Sequence, residues 1–128
     1  MINDLKIFTK LYDLILWIYP MVNKFPKSQR FVLGQRVENS ALELLRLTIK
    51  ANVAREKKPI LNELSAELDQ FRILIRLSKD LKFMSISQYA YASGLINETG
   101  KMLGGWMKSQ GANSISHIAS CESQMARR

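Results

Sequence analysis

Apolar residues recur at steps of three and four along most of this chain, and the rhythm breaks at three places: around Pro26, at Arg55–Pro59 and at Phe83–Ile86. A period near 3.6 puts one side of each segment against a core, so the pattern predicts amphipathic helices. Three breaks make four helices, over about 3–24, 29–55, 59–82 and 86–108. The fold class is therefore all-α, and 128 residues suit one domain with a single core.

The first segment repeats through Leu5, Phe8, Leu11 or Tyr12, Ile15, Trp17 or Ile18 and Val22. Pro20 lies inside it, lacks a backbone donor and disfavours helix at Tyr19, which predicts a kink or an early end. Trp17, Tyr19 and Phe25 read as core or subunit contacts rather than base-stacking residues, because they fall in an apolar stripe. Ser28 is the expected N-cap of the second helix. That helix has a broad apolar set, Phe31, Val32, Val37, Ala41, Leu42, Leu44, Leu45, Thr48, Ile49 and Val53, as suits a helix touching two neighbours in a bundle.

Pro59 fits the start of the third helix, whose buried stripe is Leu61, Leu64, Leu68, Phe71, Leu74 or Ile75 and Ser78. Ser85 and Gln88 make a capping box for the fourth. Its apolar face is Tyr89, Ala92 or Ser93, Ile96, Leu103 and Trp106 or Met107. Gly94, Gly100, Gly104 and Gly105 weaken this helix, and close backbone approach within the bundle or between subunits is the expected compensation. From Ser109 the chain turns rich in Ser, Ala and Asn, so 1–108 reads as the bundle and 109–128 as a weakly ordered tail.

The net charge of +8, from 19 Lys plus Arg against 11 Asp plus Glu, makes a polyanion the leading partner. Phe25–Val37 carries Lys27, Arg30 and Arg36 with no acid, although the start of a helix prefers carboxylates. Arg36, Asn39, Glu43, Arg46 and Lys50 form a polar stripe on the second helix, in which Glu43 can pair with Arg46. Arg72, Arg76 and Lys79 share a face of the third over two turns. Like charges at that spacing repel by a few tenths of a kcal/mol per pair, and a bound polyanion would relieve it. The helix dipole alone also favours cations in that second half.

No motif for catalysis, a cofactor or a metal emerges. His117 and Cys121 are four apart, but two ligands do not make a zinc site. There is no P-loop and no dinucleotide fingerprint, and the carboxylates are scattered over helices. No cofactor is expected. The single Cys121 suits a reducing, cytoplasmic setting, and no apolar run reaches the ~20 residues of a membrane span.

The wording of FPKSQRFVLGQRV (25–37), ALELLRLTIKA (41–51), LDQFRILIRLSKDL (68–81), SQYAYASGLINETG (87–100) and KMLGGWMKS (101–109) resembles the accessory variability determinant (Avd) proteins of diversity-generating retroelements. These belong to a wider group of four-helix bundle proteins that includes those encoded by intervening sequences in ribosomal RNA genes. The resemblance covers about Leu11–Ser109. It implies an up-down antiparallel four-helix bundle, assembly as a homopentamer with a positive surface, and binding to a reverse transcriptase and to RNA or DNA. It also implies a role in mutagenic retrohoming without catalysis by the protein itself. Arg72 and Arg76 fall where the family carries an arginine pair, and are carried over as nucleic-acid or reverse-transcriptase contacts. Lys79, Arg36, Arg46 and Lys50 join them from the charge stripes alone. The alternative is a structural or interaction protein of the ribosomal-RNA intervening-sequence type.

Overall fold

In the computed structural model, which describes residues 5–111, the chain forms four long helices: α1 (Lys6–Val22), α2 (Gln35–Val53), α3 (Lys58–Asp80) and α4 (Ile86–Gly111). The described residues contain no strand. Each helix packs on the next in sequence, and α4 returns against α1. Residues 109–111, expected as the start of a tail, are the last turn of α4. The remainder of that segment, with His117 and Cys121, lies outside the described residues.

Between α1 and α2 the chain departs from the expected uninterrupted helix. A helical turn, Lys27–Gln29, is followed by a π-helical turn, Arg30–Gly34, before regular helix begins. Ser28 is not a cap. Pro26 precedes the first turn, no side chain caps it, and the Pro26 carbonyl accepts from Gln29 and Arg30 N–H. Pro20 is accommodated on the exposed side of α1, which runs two residues past it before ending at Val22.

The core is a column of aliphatic side chains closed by aromatic rings. Leu61, Leu64, Leu68, Phe71, Leu74, Ile75 and Ser78 are all buried, the stripe expected of α3. On α1 the buried centre is Ile7, Leu11, Leu14, Ile18, Met21 and Val22, so Leu5, Phe8 and Ile15 are its half-buried flank. Phe25 is buried and tilts against Phe83 at 5.7 Å, while Trp17 tilts against Tyr91 at 5.1 Å. On α2 and the π-helical turn before it, however, Phe31, Val32, Leu42, Ile49 and Val53 are exposed, so the apolar set is wider than the core of one chain.

Local chemistry fixes the helix ends. Lys57 Nζ donates to the carbonyls of Ala51, Asn52 and Ala54, satisfying the open end of α2. At the end of α3, Phe83 N–H donates to Ser78 O and Lys82 N–H to Lys79 O, the Schellman pattern. Lys82 holds the left-handed conformation there, at φ 68°. The capping box forms as expected: Ser85 N–H donates to Gln88 Oε1 at 2.8 Å and Gln88 N–H to Ser85 Oγ at 3.1 Å.

Candidate nucleic-acid interface

The six candidate cations fall into two rows on opposite flanks of α3. Arg72 and Lys79 point to the α4 side. A Cβ added at Gly100 would lie 2.7 Å from Arg72 Nη2, and Lys79 Nζ stands 4.6 Å above the Tyr89 ring. Arg76 lies between them in register and is exposed. Arg36 belongs to the other flank, where it lines an open cleft with Phe31, Val32, Leu74, Leu77 and Leu81. Arg46 and Lys50 continue the Arg36 row along α2 by helical spacing. Exposed Leu77 and Leu81 line the Arg36 cleft, and Ile73 is exposed on α3, next in sequence to Arg72. The chain thus presents two basic edges, one toward α4 and one along α2, with exposed apolar side chains beside the Arg36 cleft.

The rows differ in how far their charge is already answered. Arg46 makes a two-pronged pair with Glu43, Nε to Oε1 at 2.7 Å and Nη2 to Oε2 at 2.8 Å. That hydrogen bond, then the Coulombic attraction of Arg46 and Lys50, holds the Glu43 carboxyl below its usual range, and the same bond raises Arg46. Among the described residues, Arg36 and Lys50 have no ion pair or side-chain hydrogen bond.

The repulsion expected along the α3 row is partly answered by neighbouring aspartates. Arg72 Nη1 is 3.7 Å from Asp69, Arg76 Nε is 3.8 Å from Asp80, and Lys79 Nζ is 3.2 Å from Asp80. The two aspartates bracket the row and offset the repulsion among its cations. All three contacts are surface ion pairs, two of them long, so each is worth about 1 kcal/mol or less. A phosphate can compete with them. The spacings Asp69–Arg72 and Arg76–Asp80, three and four residues, were legible in the sequence. The approach of Arg72 to Gly100 and of Lys79 to Tyr89 was not, because it depends on how α4 packs.

Among the described residues no group of three or more His, Cys, Asp or Glu is placed to hold a metal. None of the helices among the described residues is long and apolar enough to cross a membrane. Close backbone approach within the described residues accounts for none of the four glycines: Gly100 meets the Arg72 and Leu68 side chains, and Gly94, Gly104 and Gly105 have open space where a Cβ would go.

Fold and surface together define a small all-helical bundle with two cationic edges and a net charge of +8. The family model for bAvd-like proteins matches residues 5–110, nearly every described residue, and the chain belongs to that family. It is thereby an Avd-type protein, of the accessory kind associated with retroelements. No curated protein matches the chain.

Proposed function

We propose that this protein is the accessory subunit of a diversity-generating retroelement, one that binds the element's reverse transcriptase and RNA or DNA through its cationic helical edges. Family membership over residues 5–110 carries the reading. The α3 row supports it, since three cations share one edge and their aspartate contacts are weak enough to be replaced. Binding is electrostatic: Lys and Arg displace condensed counterions from phosphates, which gives little sequence preference and a steep dependence on salt. The protein supplies no catalytic group of its own and acts in the cytoplasm.

The helices run up and down, each antiparallel to the next, as the short connections at residues 54–57 and 81–85 favour. The chain works as a homo-oligomer, a pentamer by family resemblance. Exposed Phe31, Val32, Leu42, Ile49 and Val53 support self-association, because isolated bundles seldom leave so much large apolar surface in water. Native mass measurement gives the copy number.

The test of the basic edge replaces Arg72, Arg76 and Lys79 together with Glu and follows binding to single-stranded RNA and DNA across a salt series. The expected result is a large loss of affinity with a shallower salt slope. A folded variant with unchanged affinity and slope removes this edge from the interface.

A further inference from the structure

The α3–α4 seam contains a contact that packing alone does not require. The Arg72 guanidinium lies on the bare backbone of Gly100: a Cβ there would meet Nη2 at 2.7 Å and Cζ at 3.9 Å. Around it Leu68 Cδ2 is at 3.7 Å, an ordinary contact. Glycine inside a helix costs stability relative to alanine. Here the only atoms an alanine methyl would crowd are the flexible end of one arginine. The glycine therefore makes room for the guanidinium and for nothing else close by.

The guanidinium it seats is not consumed by the fold. Among the described residues, Arg72 Nε is buried without a hydrogen-bond partner, and the long contact to Asp69 is the group's one ion pair. The side chain is nevertheless 39% exposed, so its head is anchored at the seam while part of it faces solvent. An arginine serving only structure would be expected to direct its planar fork at a carboxylate or a helix end. Arg76, one turn on, faces solvent beside it.

We propose that the α3–α4 seam is a phosphate subsite for the nucleic-acid backbone, and that Gly100 is its positioning residue, holding the Arg72 guanidinium where it receives the phosphate. The proposal rests on the nucleic-acid reading above. Gly100 touches no phosphate; it acts by leaving the volume the guanidinium occupies. A methyl at this position drives the head off the seam while leaving its charge on the surface. Loss of binding then reflects lost orientation, not lost charge.

The experiment compares Gly100→Ala, Arg72→Ala and the double variant in the full chain, using fluorescence anisotropy with a single-stranded RNA oligonucleotide across a salt series, with thermal melting alongside. Gly100→Ala should melt at the same temperature or higher, because alanine favours helix, yet bind about three- to tenfold more weakly. Its salt slope should stay near that of the parent, since no charge is removed. Arg72→Ala should weaken binding at least as much and flatten the slope. The double variant should bind no worse than Arg72→Ala alone.

Parent-like binding by Gly100→Ala, when Arg72→Ala is weakened, overturns the positioning role and leaves the nucleic-acid reading standing. Parent-like binding by Arg72→Ala, when the Arg72, Arg76 and Lys79 triple variant is weak, overturns the subsite alone. A Gly100→Ala chain that melts lower or does not fold also overturns the proposal, because the glycine then serves helix packing. If the triple variant too binds like the parent, the nucleic-acid reading of this edge falls first.

Discussion

A Cβ placed on Gly34 would stand 2.7 Å from Cγ1 of Val22, so the end of α1 rests on bare backbone at the close of the π-helical turn. Both residues are buried, and Val22 is part of the core. The irregular turn and the glycine belong together: the turn brings the entry to α2 onto α1, and only a residue without a side chain fits there. Gly34→Ala should therefore destabilise the bundle. Overpacking costs about 1–3 kcal/mol, against up to about 1 kcal/mol returned by helix propensity. Urea unfolding of the variant and of Gly34→Ala with Val22→Ala checks this. The pair should be less destabilised than the two single losses added, since the second change opens the space the first fills.

Ser40 Oγ donates to Glu67 Oε2 at 2.6 Å, a side-chain bond from α2 to α3. Ser40 is 4% exposed, so its hydroxyl has little water to turn to. Ser40→Ala should cost about 1–2 kcal/mol, as is typical of a hydrogen bond to a charged group that is partly buried. Denaturant unfolding gives the value. A cycle with Glu67→Ala should show coupling, and additive losses would mean the bond contributes nothing.

Lys82 should be replaceable with a gain. Its left-handed conformation, φ 68°, closes the Schellman turn after α3, a place where glycine is unstrained. Lys82→Gly should stabilise the chain by about 1 kcal/mol, seen as a higher melting temperature. A lower one would show that the lysine side chain makes up for its backbone.

Burial pushes the Glu38 carboxyl above its usual range, and the Tyr19 hydroxyl is raised by its own burial first and by Glu38 second. A raised carboxyl binds its proton more tightly in the folded chain than in the unfolded one. The contribution is thus fully present below the ordinary carboxylate range and is lost as pH rises through the raised value. Glu38→Gln should melt higher than the parent at neutral pH, with the difference shrinking towards acid pH. Thermal melts between pH 3 and 8, roughly the span over which carboxyl groups titrate, test the sign.

Within the α2 row, Lys50→Ala should reduce nucleic-acid affinity more than Arg46→Ala. Arg46 is already held by both oxygens of Glu43, whereas Lys50 is free of such a pair. Removing one phosphate contact lowers the salt slope by about one unit. Lys50→Ala should approach that figure and Arg46→Ala should fall well short. Equal slopes would show that Glu43 releases Arg46 on binding.

The sequence by itself determined the four helices, the buried stripe of α3 and the capping box at Ser85–Gln88. Each follows from residues within a turn or two of one another, where a 3.6-residue period and local hydrogen bonds decide the outcome. It also showed which cations share one helix face. Tertiary structure decided what no local pattern encodes. The rotation of α1 about its axis makes Ile7, Leu14 and Met21 core while Leu5 and Phe8 flank it. The break before α2 is a π-helical turn that ends at Gly34 against Val22, which neither Ser28 nor Pro26 announces. The division of six cations between two edges depends on which neighbour each side of α3 meets. Charge and period are properties of one helix, but a shared surface is a relation between helices, and it exists only once they are packed.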